Sequence, residues 1–413
     1  MSTFQVISAV VCLVAVFGYV NHRFVRLPDA IGITAIGVLV SIGAIVLARF
    51  DAAVATEMRV AVDRIDFPEI LLHGVLGLLL FAGSLHIDIN DVAKEKWLIL
   101  SLATFGVVAS TALVGLGFFA VTHGIGMAIP WLYCLLFGAL ISPTDPVAVL
   151  AVIKRVGVPK SLEVRIAGES LFNDGVGVVI FVLLVGIATQ GGTPTIGEAS
   201  MLLLQEAGGG LAFGALLGFG LYYLLRTVDD YKVEALLTLA AVLGGYTLAN
   251  HLHTSGPLAM VVTGLVIGNN GRAEAMSDVT RHHIDLFWEL LDEILNAVLF
   301  VLVGLQVITL HFPVSGFYAI AAGAMAIVVT LFARWLTVGV PTIAFHKVMR
   351  LPRGSATILT WGGLRGGISI ALALAVPAGH QQQTLVALTY CVVAFSILVQ
   401  GLTFGRLVKR WIA

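Results

Sequence analysis

Residues 137–147 read Phe137-Gly-Ala-Leu-Ile-Ser-Pro-Thr-Asp-Pro-Val147. The run is apolar enough to be a buried helix, yet Pro143 and Pro146 bracket Thr144-Asp145. Proline has no backbone N–H and its ring collides with the preceding turn, so a helix breaks here. In hydrocarbon, the carbonyls freed by a break are tolerated only where they face protein, water or an ion. A second stretch, Trp361-Gly-Gly-Leu-Arg-Gly-Gly-Ile368, sets four glycines around Arg365 and predicts another unwound segment.

The surroundings of these stretches are those of a bilayer. The chain has 413 residues, 59% of them hydrophobic and only 11% charged, with a mean hydropathy of +1.01. Soluble domains carry roughly 25% charged residues. A water-soluble fold of this size lacks the charge to cover its surface, which argues against a soluble enzyme or a disordered scaffold. The balance of 23 Lys+Arg against 24 Asp+Glu gives no footprint for nucleic acid. Cys12, Cys134 and Cys391 lie in apolar runs and read as small hydrophobes.

A transmembrane helix needs about 20 mainly apolar residues. Thirteen segments qualify: 4–20, 28–48, 70–87, 97–121, 131–153, 166–190, 199–225, 234–251, 256–270, 287–309, 314–346, 355–378 and 384–405. The first lacks a basic start and a small-residue cleavage site, so it reads as a helix, not a signal peptide. Connections 49–69 and 271–286 have the length of short amphipathic helices.

Lys and Arg set the orientation. With the N-terminus outside, the inner connections hold Arg23, Arg26, Lys94, Lys96, Lys154, Arg155, Lys160, Arg165, Arg226, Lys232, Arg272, Arg281, Lys347, Arg350, Arg353, Arg406, Lys409 and Arg410. The outer connections hold only Arg49, Arg59 and Arg64. The expected topology is N-out and C-in. Arg334 and Arg365 alone among the basic residues fall inside spans.

Ionisable groups in a bilayer cost several kcal/mol and mark function by default. Counting depth along the spans puts Asp145, Asp174 and Arg365 near mid-membrane, with Glu169 and Arg334 toward the inner half. Glu169 and Asn173 are four apart, as are Ser170 and Asp174, giving two adjacent stripes on one side of the sixth span. Glu169 and Arg334 suit a structural ion pair, because a lone buried charge is far costlier than a paired one. Arg365 suits either of two partners, the carbonyls of a broken helix or an aspartate. Asp145 and Asp174, beside broken backbone, read as an ion path. Asp292, Glu293 and Asn296 suit either the lining of a vestibule or, the favoured reading, a polar face at the membrane rim. The histidines His86, His123, His282, His283 and His346 sit at span ends and are at most peripheral.

Spans 1–6 and 8–13 form two halves in which the fifth member of each is broken, the pattern of an inverted-repeat transporter. Together the segments Ser142-Pro-Thr-Asp-Pro-Val-Ala-Val149, Gly168-Glu-Ser-Leu-Phe-Asn-Asp-Gly175 and Gly362-Gly-Leu-Arg-Gly-Gly-Ile-Ser369 resemble the monovalent cation:proton antiporters of the NhaP/NHE type. The resemblance implies an all-α polytopic fold of the NhaA-like kind, with two broken helices crossing in a core domain. It implies interface-domain helices in 1–96 and 234–310, core-domain helices in 97–190 and 311–413, a linking helix in 199–233, and a homodimer in the cell membrane. It further implies that Asp174 is the main ion and proton carrier, aided by Asp145, Thr144 and Ser170. By the same resemblance Glu169 pairs with Arg334 and touches Asn173, and the Asn173-Asp174 form exchanges one cation for one proton. Transported Na⁺, or Li⁺ or K⁺, and H⁺ are then the ligands, and no cofactor is expected. One departure stands out: Leu79-Leu-Phe-Ala-Gly-Ser84 has Ala82 where many relatives carry a glutamate, leaving Ser84 or water to supply an oxygen.

A carboxylate holding either a proton or a cation enforces exchange by competition alone. The rival classes are a K⁺/H⁺ antiporter of the same fold, a cation channel, a membrane enzyme and a sensor. No Ser/His/Asp or metal-ligand spacing recurs at a common depth to favour an enzyme.

Overall fold

The computed structural model describes residues 3–47, 66–124, 126, 129–156, 158, 160–190, 196–310, 317–344 and 354–412. Arg49, Arg59, Arg64, Lys347, Arg350, Arg353 and His346 lie outside the described residues.

The described chain is nearly all helix. In order the helices are α1 (Thr3–Val20), α2 (Asp29–Leu47), α3 (Phe67–Leu85), α4 (Ile89–Gly124), α5 (Trp131–Ile141), α6 (Val147–Val156) and α7 (Lys160–Gln190). Then follow α8 (Met201–Leu225), α9 (Tyr231–His251), α10 (Gly256–Val266), α11 (Asp278–Leu305), α12 (Phe317–Arg334), α13 (Ser355–Trp361), α14 (Gly367–Leu374) and α15 (His380–Trp411). Among the described residues, ten helices are long and apolar enough to cross a membrane. The three other expected spans take different forms. Segments 131–153 and 355–378 are the broken pairs α5/α6 and α13/α14, and α10 is short and runs on as a wide π-turn over Ile267–Ala275.

Several helices outrun their apolar stretches. α4 has 36 residues, about 54 Å against a hydrocarbon core of about 30 Å. Its first turns carry Asp91, Lys94 and Glu95, and Asp88 caps them by accepting the Asn90 N–H at 2.8 Å. α11 begins at Asp278, where the Ser277 hydroxyl accepts the Thr280 N–H, so most of the connection 271–286 is the start of this helix.

Packing forms two sets of neighbours. α4, α5, α7, α12, α14 and α15 contact one another around the broken helices, while α1, α2, α3, α8, α9, α10 and α11 contact one another beside them. Small residues bring backbones together in the second set. Gly210, Gly214 and Gly218, spaced by four on α8, lie against α10 so closely that a Cβ at Gly214 would sit 2.4 Å from the Ala259 carbonyl oxygen. Without a hydrophobic drive between helices in lipid, such close packing replaces it. α7 touches both sets, meeting α5 on one side and α10 on the other.

Candidate ion-binding site

The two unwound segments, 142–146 and 362–366, meet at the centre of the first set of helices. The Asp145 N–H donates to the Leu364 carbonyl at 2.8 Å, so backbone pairs directly with backbone at the crossing. The first segment is opened by its prolines and the second by its glycines. The glycines also make room for side chains. A Cβ at Gly363 would lie 2.5 Å from Arg334 Nε, and one at Gly366 would lie 2.5 Å from Asp145 Oδ2.

Each arginine is aimed at carbonyls that a broken helix frees. Arg365 Nη1 donates to the carbonyls of Ser142 and Pro143, the latter at 2.9 Å. Its own N–H goes to Ser396 Oγ at 2.8 Å, and Ser396 in turn donates to Gln400. Of the two partners that the sequence allows for Arg365, it takes the carbonyls. Arg334 Nη2 donates to the Leu359 carbonyl in the last turn of α13 at 3.1 Å, and its Nη1 pairs with Glu169. Both positive groups sit at the negative ends of helix dipoles.

Asp145 is half-buried at the start of α6, where its Oδ1 accepts the Val147 N–H at 2.9 Å and its Oδ2 rests on Gly366. Thr144 is buried beneath it. The Thr144 N–H donates to Asn173 Oδ1 at 3.2 Å, Asn173 Nδ2 donates to Thr144 Oγ1 at 2.8 Å, and Thr144 Oγ1 lies 2.9 Å from Ser170 Oγ. The resemblance puts Asn173 against Glu169; here Asn173 spends its Oδ1 and a donor on Thr144. Asn173 and Ser170 thus tie the intact helix α7 to the unwound segment.

Asp174 stands apart. It is 5% exposed, and its Oδ1 has no hydrogen-bond partner among the described residues. Buried polar atoms are nearly always paired, so an orphaned carboxylate oxygen has room for a partner such as a proton or a cation. It lines a cavity of about 160 Å³ together with Asp145 and Thr144.

Two polar residues of α11 take the vestibule reading and not the favoured rim reading. Asp292 and Asn296 line the cavity, while Glu293 is exposed. The signal is their spacing of four, which puts both on one face of the helix. Ser84 does not take up the role of the glutamate that Ala82 replaces. Its hydroxyl donates to the Phe81 carbonyl at 2.9 Å and packs against Gly264, so Gly83 and not Ser84 forms the wall. His86 and His123 bond carbonyls of their own helices.

A family model described as sodium/hydrogen exchanger, transmembrane, matches residues 10–410. The chain belongs to the sodium/hydrogen exchanger family. It is 47% identical over 411 residues to the Na⁺/H⁺ antiporter NhaP of Pseudomonas aeruginosa, covering 98% of this chain and 96% of that protein. It is 32% identical over 394 residues to the Na⁺/H⁺ antiporter NhaH of Halobacillus dabanensis, covering 94% and 93%. The sodium proton antiporter MjNhaP1 from Methanocaldococcus jannaschii at pH 8 superposes over 100% of both chains with a TM-score of 0.75 at 18% identity, which establishes the exchanger fold. As a member of this family the protein is a multi-pass membrane transporter and not an enzyme.

Proposed function

We propose that the protein exchanges Na⁺, and Li⁺ by the same chemistry, for H⁺ across a cell membrane, one for one. The observation that carries the reading is Asp174: a buried carboxylate with an orphaned oxygen, at the crossing of two unwound helices, open to a cavity. A hard monovalent cation needs several oxygens. Asp174, Asp145, the Thr144 carbonyl and the Ser170 hydroxyl supply them, with Asn173 holding Thr144 in place. A proton on Asp174 removes the charge that holds the cation, so the two compete and neither crosses without the other leaving. Sodium is preferred to potassium because the similar antiporters are named for it.

Glu169 and Arg334 neutralise each other, and Arg365 offsets the carbonyls of residues 142 and 143, so the charge that changes in a cycle sits on Asp174 and Asp145. The packing supports core-domain helices in 97–190 and 311–413 moving against interface-domain helices in 1–96 and 234–310, with 199–233 as the link and a homodimer joined through the interface domains. The cavity wall runs from Asp174 and Asp145 to Ile87, Leu150 and Ala167, toward the helix ends bordered by basic residues. With the N-terminus outside and the C-terminus in the cytoplasm, this is the cytoplasmic mouth of an inward-facing state.

The test is proton flux in acid-loaded proteoliposomes given Na⁺, Li⁺ or K⁺, with and without an ionophore clamp on voltage. Flux driven by Na⁺ and Li⁺ and indifferent to the clamp is expected. A cation current reversing at the sodium Nernst potential would establish a channel instead.

A further inference from the structure

Asp174 and Asp145 are on the core side of the cavity. On the opposite side α3 contributes Leu76, Leu79, Leu80 and Gly83, and Ile87 follows just beyond its end, none of which offers a side-chain oxygen. Among the described lining residues on that side, those with side-chain oxygens are Asp292 and Asn296 of α11. Asn296 is 7% exposed, and its Nδ2 donates to the Asp292 carbonyl at 2.9 Å. That bond fixes the amide, leaving its Oδ1 as an acceptor at the wall. Leu299, one turn deeper on α11, closes the cavity against Gly367.

We infer that Asp292 and Asn296 form a relay on the cavity wall, where an entering cation rests before reaching Asp174 and Asp145. The inference rests on the proposed cation exchange. A dehydrating cation entering an apolar wall loses water contacts that it must replace, and a carboxylate with a fixed amide oxygen supplies them at the cavity mouth. Asp174, buried and lining the same space, is the receiving end. α11 packs mainly with α1, α2, α3 and α9, and touches α14 more lightly, while the two aspartates sit among the other helices, so movement of one set against the other would part the relay from the site. Its effect is therefore one-sided. The relay sets cation affinity from the cavity face and leaves the opposite face untouched.

The experiment compares Asp292→Asn, Asn296→Leu, Asp292→Glu and the exposed neighbour Glu293→Gln in everted and right-side-out membrane vesicles, with NaCl added outside. Removing one charge near the path weakens cation binding by about tenfold. Asp292→Asn is expected to raise the sodium KM about tenfold from the cavity face with maximal rate nearly unchanged, and to leave KM from the other face at the parental value. Asn296→Leu follows with a smaller rise, and Asp292→Glu and Glu293→Gln stay near the parent. An Asp292→Asn variant with parental KM on both faces overturns the relay. An equal loss on both faces, or a loss of folded protein with Asp292→Glu failing to rescue, makes Asp292 structural and also overturns it. A parent without sodium-driven proton flux sinks the exchange reading as well, whereas an active parent with unmoved variants sinks the relay alone.

Discussion

Glu169 and Asp174 lie five residues apart on α7, both carboxylates, both buried, both inside a bilayer-spanning helix. Glu169 is paired with Arg334, whose other terminal nitrogen reaches the Leu359 carbonyl. Asp174 has an oxygen that no described group satisfies. The same helix thus holds one carboxylate paired with a cation and one left with an unsatisfied oxygen, the contrast on which the proposed exchange rests. A rotation of about 100° per residue separates them, turning Glu169 toward α12 and Asp174 toward the cavity. An ion-exchanging group has to be under-satisfied, because a carboxylate already saturated by protein donors gains little from a cation or a proton. A neighbouring structural charge has to be saturated, or it competes for the same ligands.

The sharpest way to break this contrast is to neutralise each carboxylate in turn. Asp174→Asn is expected to abolish exchange, lowering proton flux by more than about 100-fold, while thermal stability in detergent holds or rises, since a buried unpaired charge costs free energy. Retained sodium-driven flux in proteoliposomes would show that Asp174 is not the carrier. In the parent, competition at one carboxylate makes acid raise the apparent sodium KM, by up to about tenfold per pH unit where that carboxylate is mostly protonated. A KM flat across pH would separate the proton path from the cation path.

Arg334→Ala attacks the other member. It leaves Glu169 buried without a partner, which costs about 3–5 kcal/mol when one side of a buried pair is removed. The midpoint of thermal unfolding in detergent should fall steeply. Adding Glu169→Gln should recover much of it, since a neutral amide is cheaper to bury than an unpaired carboxylate. Arg334→Ala as stable as the parent would mean that Glu169 finds its compensation elsewhere.

The same contrast explains which parts of the molecule are legible from sequence. Breaks at 142–146 and 362–366 follow from Pro143, Pro146 and the glycines around Arg365, because helix disruption there is local chemistry. The Glu169–Arg334 pair follows from the cost of lone buried charge. Arg365 stays open between two partners because a guanidinium suits carbonyls and carboxylates equally, and only the crossing brings Ser142 and Pro143 within its reach. Asp292 and Asn296 stay open between rim and vestibule, with the rim favoured, because polarity near the end of a span looks the same whether it faces headgroups or a vestibule. Helix ends at Ile89 and Asp278 are hidden for a related reason. Hydropathy marks the apolar stretch, whereas Asp88 and Ser277 cap helices that begin two to three turns earlier.

Thr144 stands between the two classes of group and gives the smallest and most discriminating effect. Its Oγ1 is engaged by Asn173 and Ser170, so the side chain is saturated like Glu169, yet its carbonyl belongs to the proposed cation shell like Asp174. Thr144→Val keeps the shape and the carbonyl and removes the hydroxyl. If the hydroxyl only positions the carbonyl, its loss costs about 0.5–1.5 kcal/mol of binding and leaves Asn173 Nδ2 and Ser170 with one partner fewer. The sodium KM then rises about threefold to tenfold, with maximal rate and the acid dependence of KM unchanged. A collapse of maximal rate would move Thr144 into the carrier class beside Asp174. An unmoved KM would place it with Glu169 as scaffold.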